Sequence, residues 1–120
     1  MTGYEKKLPA VFYQTTNGRE PVREWLKALE NNDRKTIGLD IATLEFCWPV
    51  GLPQCRPITG RKGLWEVRST LSNGRIARIL FGIHSQQMVL LHGFVKKTQK
   101  TPDKAIDLAM IRFKEVLHHA

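Results

Sequence analysis

The alternation of apolar and polar residues divides the first half of the chain into one strand and two helices. A run of aromatic and β-branched residues at 9–14, followed by the turn residues Asn17 and Gly18, predicts the strand. Pro21 suits the first turn of a helix, and Asp33 suits the cap of a second helix that Pro49 ends. Helical spacing of apolar residues supports both helices, the first with Val22, Trp25, Leu26 and Leu29 and the second with Ile37, Ile41, Leu44 and Trp48.

The second half predicts a loop, three strands and a closing helix. Prolines and glycines make 49–62 a loop. Runs at 64–69, 75–84 and 87–97 are separated by short turns and predict an antiparallel meander. Thr101-Pro102 begins a helix whose apolar face holds Ile106, Met110, Phe113 and Leu117. The expected order is β-α-α-β-β-β-α in one compact α+β domain over 1–120, with an antiparallel sheet packed against helices.

Strand alternation sorts the side chains of the meander onto two faces. On the middle strand, burial of the apolar set Ala77, Ile79, Phe81 and Ile83 places Arg78 on the opposite face. The flanking strands bury Trp65 and Val67 on one side of it and Val89, Leu91 and Val95 on the other. This choice gathers six residues on one face: Glu66, Arg68, Arg78, His92, Phe94 and Lys96. Lys97 falls on the other face unless a bulge intervenes.

Positive charge is concentrated in one segment of the chain. The formal net charge is +8, and the stretches before Arg56 and after Lys104 are both neutral. Residues 56–104 hold ten Lys and Arg against two acidic residues. A segregated excess of this kind favours a polyanion such as nucleic acid as the partner, with an acidic protein as the alternative.

The gathered face has the groups needed to grip and cleave RNA. Guanidinium groups bind phosphate, an aromatic ring stacks on a base, and a carboxylate or imidazole moves a proton. Structural roles are open alternatives: Arg68 or Arg78 can pair with Glu66 across the strands, and His92 and Phe94 can be packing residues.

Other chemistries lack a sequence signature. Cys47 and Cys55 match neither a zinc knuckle nor a disulfide framework, and we expect both to be reduced residues that fill space. Phosphate-loop, HExxH and magnesium-binding motifs are missing, so we expect no metal and no cofactor. The polar N-terminus and short apolar runs predict a cytoplasmic protein without a membrane span.

Three segments together carry a family resemblance. They are GLWEVR at 63–68, RIARILF at 75–81 and LLHGFVKKTQKTP at 90–102, the last passing into a helix that holds Ala109 and Arg112. The ordered set resembles HigB-like and phage-derived toxins of the RelE/ParE superfamily, over most of the chain.

The resemblance implies a type II toxin that cleaves mRNA, commonly on the ribosome, without metal. It also implies neutralisation by a helix-turn-helix antitoxin, with a heterotetramer among the assemblies expected. In such enzymes the ribose 2′-hydroxyl attacks the adjacent phosphorus and leaves a 2′,3′-cyclic phosphate and a 5′-hydroxyl.

The resemblance also assigns roles to matching positions. Arg68 and Arg78 would clamp the scissile phosphate, Lys96 would support charge or donate a proton, and Glu66 or His92 would be the base. The RNA-binding set would be Arg61, Lys62, Phe94, Lys97 and Lys100. The late tyrosine of several relatives is missing from this sequence, which leaves the general acid unassigned.

Two other functions remain open on the sequence. One is a ParE-like inhibitor of DNA gyrase, which would not need the convergent set of Arg68, Arg78 and Lys96. The other is a non-enzymatic nucleic-acid-binding protein, which would show salt-dependent binding without cleavage.

Overall fold

A five-stranded mixed sheet with helices on both faces forms the framework of the protein. The computed structural model describes residues 5–49, 55–97 and 100–119. The elements in chain order are β1 (Ala10–Phe12), α1 (Pro21–Lys27), α2 (Asn31–Cys47), β2 (Cys55–Pro57), β3 (Leu64–Thr70), β4 (Ile76–His84), β5 (Gln87–Lys96) and α3 (Asp103–His118). The strand order is β1-β5-β4-β3-β2. The predicted α+β class is confirmed. Each helix in the described ranges is too short or too polar to cross a membrane.

The predicted meander of three antiparallel strands is present as β3, β4 and β5. A 3-10 turn at Ser72–Gly74 joins β3 to β4, with Asn73 at φ 60 and Gly74 at φ 72. Ser85 at φ 52 and Gln86 at φ 62 join β4 to β5. Two successive positive φ angles are typical of the tight hairpin turn that matches strand twist.

The sheet departs from the sequence prediction at both edges. β1 pairs parallel with β5, Val11 opposite Val89, so the sheet is mixed rather than wholly antiparallel. The predicted loop at 49–62 contains β2, which pairs antiparallel with β3. A strand of three residues is too short for periodicity to reveal, and it forms because the edge of β3 offers backbone hydrogen-bonding partners.

The start of α2 also differs from the prediction. The helix begins at Asn31, and Asp33 lies within its first turn instead of capping it. The buried Asp33 carboxylate accepts two hydrogen bonds from Arg75, at 2.9 Å and 3.1 Å. This bidentate pair fixes α2 to the turn that begins β4.

Apolar residues cover the sheet on both faces. One core lies between the sheet and the first two helices and includes Ile37, Ile79 and Phe81. A second core lies between the sheet and α3 and includes Leu80, Ala109 and Phe113. The face that carries Arg78 is therefore partly covered by α3.

A β-bulge corrects the predicted face of two β5 residues. Leu80 lies opposite His92 and Phe81 lies opposite Leu90, so Leu91 is an extra residue in β5. One inserted residue reverses the alternation of side chains on either side of it. Val89 and Leu91 consequently pack in the core beneath α3, on the face of His92, although the sequence prediction placed them opposite.

Candidate nucleic-acid interface

The α3-side face carries the six residues that strand alternation gathered: Glu66, Arg68, Arg78, His92, Phe94 and Lys96. Their common side is confirmed by the register, in which Arg68 lies opposite Arg78 and Arg78 lies opposite Phe94. Leu80 lies opposite both Glu66 and His92. The six positions thus occupy adjacent rows of three neighbouring strands.

Glu66 and Arg78 form a fully buried ion pair at the centre of this face. Both side chains have 0% exposure, and Arg78 Nη1 donates to Glu66 Oε1 at 3.2 Å. The hydroxyl of Thr101, just before α3, donates to the other Glu66 carboxylate oxygen. Arg78 Nη1 also lies 3.5 Å from Thr101 Oγ1. The start of α3 therefore shields the pair from solvent.

Arg56 extends this cluster to the surface. It lies opposite Glu66 in the register, and its Nε is 3.5 Å from Glu66 Oε1 with 56% of the side chain exposed. Sequence patterns assign no site role to Arg56 or Thr101. They predict a loop at Arg56, which lies in β2, and a helix cap at Thr101. The pairing of Arg56 with Glu66 depends on β2, which is too short to be predicted from the sequence.

Arg68 and Lys96 are the cations of this face that remain available to an external anion. Arg68 is half-buried and Lys96 is exposed. Within 5–49, 55–97 and 100–119, neither side chain makes an ion pair or a hydrogen bond. Arg68 also lies directly opposite Arg78, and like charges so placed repel unless an anion lies near them. The Glu66 carboxylate is already engaged by Arg78, so an added phosphate would bind favourably beside Arg68.

His92 and Phe94 form an aromatic pair next to these cations. Their ring centroids are 5.6 Å apart, and both residues are half-buried. Burial, together with the positive charge of Arg112, lowers the pKa of His92 below its ordinary value of 6.5. His92 is therefore a neutral imidazole at pH 7 and has a nitrogen free to accept a proton.

Arg112 fixes the bulge that orients His92. Its Nη1 donates to the backbone carbonyl of Leu91 at 2.7 Å, and its guanidinium lies 5.4 Å from the ring centroid of Tyr13. The sequence singled out Arg112 only as part of the family pattern. In the structure it connects α3 to the irregular part of β5.

Two cavities flank the start of α3. One, of about 310 Å³, is lined by His92, Phe94, Lys96 and Lys104 with apolar neighbours from α3. The other, of about 250 Å³, is lined by Arg56 and Lys100 among others. The cavities thus place basic side chains on both sides of the buried pair.

The remaining predicted RNA-binding residues are one paired arginine and three exposed lysines. Arg61 forms a 2.7 Å ion pair with Asp107 of α3, so its charge is already partly balanced. Lys62, Lys97 and Lys100 are exposed. Lys100 lines the cavity beside Arg56, and Lys97 directly follows the end of β5.

The cysteines have no role in this surface. Cys47 and Cys55 are free, and burial raises the pKa of Cys55 to about 11, with the charge of Glu66 adding to the effect. Cys55 is thus a protonated and unreactive thiol at pH 7. Across the described ranges, no group of three or more His, Cys, Asp or Glu is placed to hold a metal ion.

Fold and surface together define a small α+β protein with a basic sheet face beside its last helix. The family described as "Phage derived protein Gp49-like (DUF891)" matches residues 24–114. That match spans more than half of the chain, and the protein belongs to this family. Proteins of the family are commonly associated with RelE-like addiction modules. A search of curated proteins found no match.

Proposed function

We propose that the protein is the toxin of a type II toxin-antitoxin system and acts as a metal-independent endoribonuclease on mRNA. Its class would be the HigB-like branch of the RelE/ParE superfamily, acting in the cytoplasm, on or near the ribosome. A helix-turn-helix antitoxin would neutralise it. The family is compatible with this proposal, and the α3-side face supplies the chemistry that it requires.

The observation that carries the proposal is the position of His92 beside Arg68 and Lys96, which have no ion-pair partner in the part of the chain that the structure describes. A neutral imidazole lies on the same sheet face as Arg68 and Lys96, next to an aromatic ring. Cleavage by a 2′-hydroxyl needs a base for the hydroxyl proton and cations for the charge that develops on phosphorus. All of these groups are accessible, or half-accessible, on one surface.

The geometry favours His92 over Glu66 as the base. Glu66 is fully buried and engaged by Arg78 and Thr101, whereas His92 is half-buried and lines a cavity. In the proposed step, His92 takes the proton as the 2′-oxygen bonds to phosphorus. The bond from phosphorus to the 5′-oxygen breaks, and Lys96 gives that oxygen a proton while Arg68 stabilises the charge.

Arg78 would then act mainly through other residues. Direct contact with a phosphate would require Thr101 to move away from the buried pair. In the described arrangement, Arg78 instead holds Glu66 and supports the strand that carries Arg68. We propose that its role in the phosphate clamp is to position Arg68.

A non-enzymatic nucleic-acid-binding function is the second candidate. The observation in its favour is that two of the five predicted catalytic residues are buried and paired with each other. Such a protein would use the same cations to hold RNA and would leave the phosphodiester bond intact.

The test is to induce the protein in bacteria and map mRNA 5′ ends within minutes. We expect new cleavage sites with the wild type and at least a hundredfold less cleavage with Arg68→Gln or His92→Asn. Each variant removes one group, a charge-stabilising cation or the general base, that contributes a factor of about 10² or more to the rate. These variants leave the buried Glu66–Arg78 pair intact. Arg78→Ala is not used, because it would remove the buried partner of the Glu66 carboxylate.

Lys35→Gln is the matched control. It removes one positive charge from an exposed position on α2, the helix that packs over the opposite face. Cleavage should be unchanged in this variant. Growth arrest with intact mRNA and blocked DNA supercoiling would replace the proposal with gyrase inhibition, and RNA binding without cleavage would replace it with the second candidate.

A further inference from the structure

We propose that the cavity lined by His92, Phe94, Lys96 and Lys104 binds one unpaired nucleobase of an RNA strand. The phosphate next to that base would lie between Lys96 and Lys104. The inference rests on the proposed function and deepens it, because it assigns a base-binding site and gives a role to Lys104, for which the sequence analysis proposed none.

The shape of the cavity suits a single flat ring. Its volume of about 310 Å³ lies at the low end of the range for small-molecule pockets, about 300–1,000 Å³. Phe94 and His92 form one wall, their rings tilted by 31° to each other. Pro102, Ala105 and Leu108 contribute apolar surface from the segment that begins α3. A cavity lined by two aromatic rings and by apolar side chains is a suitable site for a stacked base.

The charges at the mouth of the cavity determine what kind of ring can enter. Lys96 comes from β5 and Lys104 from α3, and both are exposed. Among the described residues, neither ammonium group has an acidic partner. Two such cations beside an apolar slot favour a ligand that joins a flat ring to an anionic group, as a nucleotide joins its base to its phosphate.

The position of the cavity connects it to the proposed cleavage step. His92 and Lys96 line it and also belong to the proposed catalytic set, and Phe94 lies opposite Arg78 in the row that contains Arg68. A base held here would place its adjoining phosphate close to that row. The cavity would therefore select single-stranded RNA, in which a base is free to leave the stack.

The test uses 2′-O-methyl RNA tetranucleotides, which cannot be cleaved because the attacking hydroxyl is blocked. One set carries 2-aminopurine at each position in turn, and a second set carries an abasic site at the same position. We expect quenching of 2-aminopurine at one position. The abasic site at that position should weaken binding about tenfold, as expected for loss of one stacked base.

Two variants with matched controls locate the site. Phe94→Leu should abolish the quenching, whereas Phe46→Leu, at an exposed phenylalanine on α2, should retain it. Lys104→Gln should weaken binding severalfold and reduce the salt dependence by about 0.7 in the log–log slope. Lys114→Gln removes the same charge farther along α3 and should behave as wild type.

The outcomes separate this inference from the proposed function. Equal affinity of abasic and intact oligonucleotides, or quenching that persists in Phe94→Leu, overturns the base site. If mRNA cleavage that depends on Arg68 is still seen, the ribonuclease proposal survives that result. Base-dependent binding without any cleavage in cells leaves the base site in place and overturns the ribonuclease.

Discussion

The charged residues of the α3-side face are of two kinds: buried residues that stabilise each other and accessible residues that can bind an anion. Glu66 and Arg78 form a buried ion pair, whereas Arg68 and Lys96 are at least partly exposed and have no ion-pair partner among the described residues. An uncompensated buried charge is costly, but a buried pair is roughly neutral compared with apolar residues. The pair thus contributes little net stability, although removal of one partner should be strongly destabilising.

The first prediction concerns this pair. Arg78→Met should lower the free energy of unfolding by about 3–5 kcal/mol, because it removes the buried partner of Glu66 and leaves only the more exposed Arg56 beside that carboxylate. The double variant Glu66→Leu/Arg78→Met should recover much of that loss. Urea denaturation of the wild type, both single variants and the double variant measures the coupling. Additive effects in the four proteins would show that the two side chains do not depend on each other.

The sequence predicted which residues share the face but not which of them are exposed. Alternation along β3 and β4 was enough to place Glu66, Arg68 and Arg78 together, because neither strand has an irregularity. Burial of Arg78 depends on Thr101 and the path of α3 across the sheet, which are tertiary contacts. Local periodicity carries no information about such contacts.

At the scale of elements, the bulge in β5 determines where His92 points. The extra residue Leu91 changes the alternation, and Arg112 holds its carbonyl from α3. Sequence analysis could not locate this bulge, since one inserted residue leaves no mark in composition. Gly93 follows it closely, and a Cβ there would lie 2.4 Å from the Trp25 ring. Close packing of α1 on β5 therefore explains this glycine of the family motif.

The second prediction belongs to this scale and is a pH dependence of stability. The pKa of His92 in the folded protein lies below its value of about 6.5 in the unfolded chain. At pH values between these two pKa values, the unfolded chain binds the proton more readily than the folded protein does. The contribution of neutral His92 to the free energy of unfolding should be fully present above about pH 6.5 and should be lost as the pH falls toward the pKa of the folded state.

Urea denaturation at pH 7.5 and pH 5.5 tests this sign. Wild type should lose more stability than His92→Asn over that interval, because asparagine does not titrate. Carboxylates contribute equally to both proteins, so the difference isolates the imidazole. An identical loss in both proteins would contradict a lowered pKa at His92.

At the scale of the whole molecule, the excess of positive charge comes from one segment of the chain, which includes the strands that carry the α3-side face. The net charge of +8 arises entirely from residues 56–104, which include β2 to β5 and the start of α3. Composition alone predicted this segregation. Composition could not predict that Arg56, Arg61 and Arg78 form ion pairs with carboxylates of the protein itself.

The prediction that follows concerns salt. If Arg68, Lys96 and Lys104 provide the phosphate contacts, the logarithm of RNA affinity should fall with the logarithm of salt concentration at a slope of about −2, at about 0.7 per contact on a single strand. Fluorescence titrations at several salt concentrations measure the slope. A slope several times steeper would mean that further exposed lysines bind phosphate as well, and a flat response would exclude phosphate contacts.

The pairing of β1 with β5 has a consequence for synthesis of the chain. The first strand hydrogen bonds to the last one, with Tyr13 N donating to Leu90 O and Met88 N to Pro9 O. A nascent chain that has passed Arg68 and Arg78 still lacks the strand that carries His92 and Lys96. The five-stranded sheet cannot close until β5 has been synthesised, because β5 lies between β1 and β4. A ribonuclease built this way would remain inactive until the strand that carries His92 and Lys96 has been made and has paired with the first one.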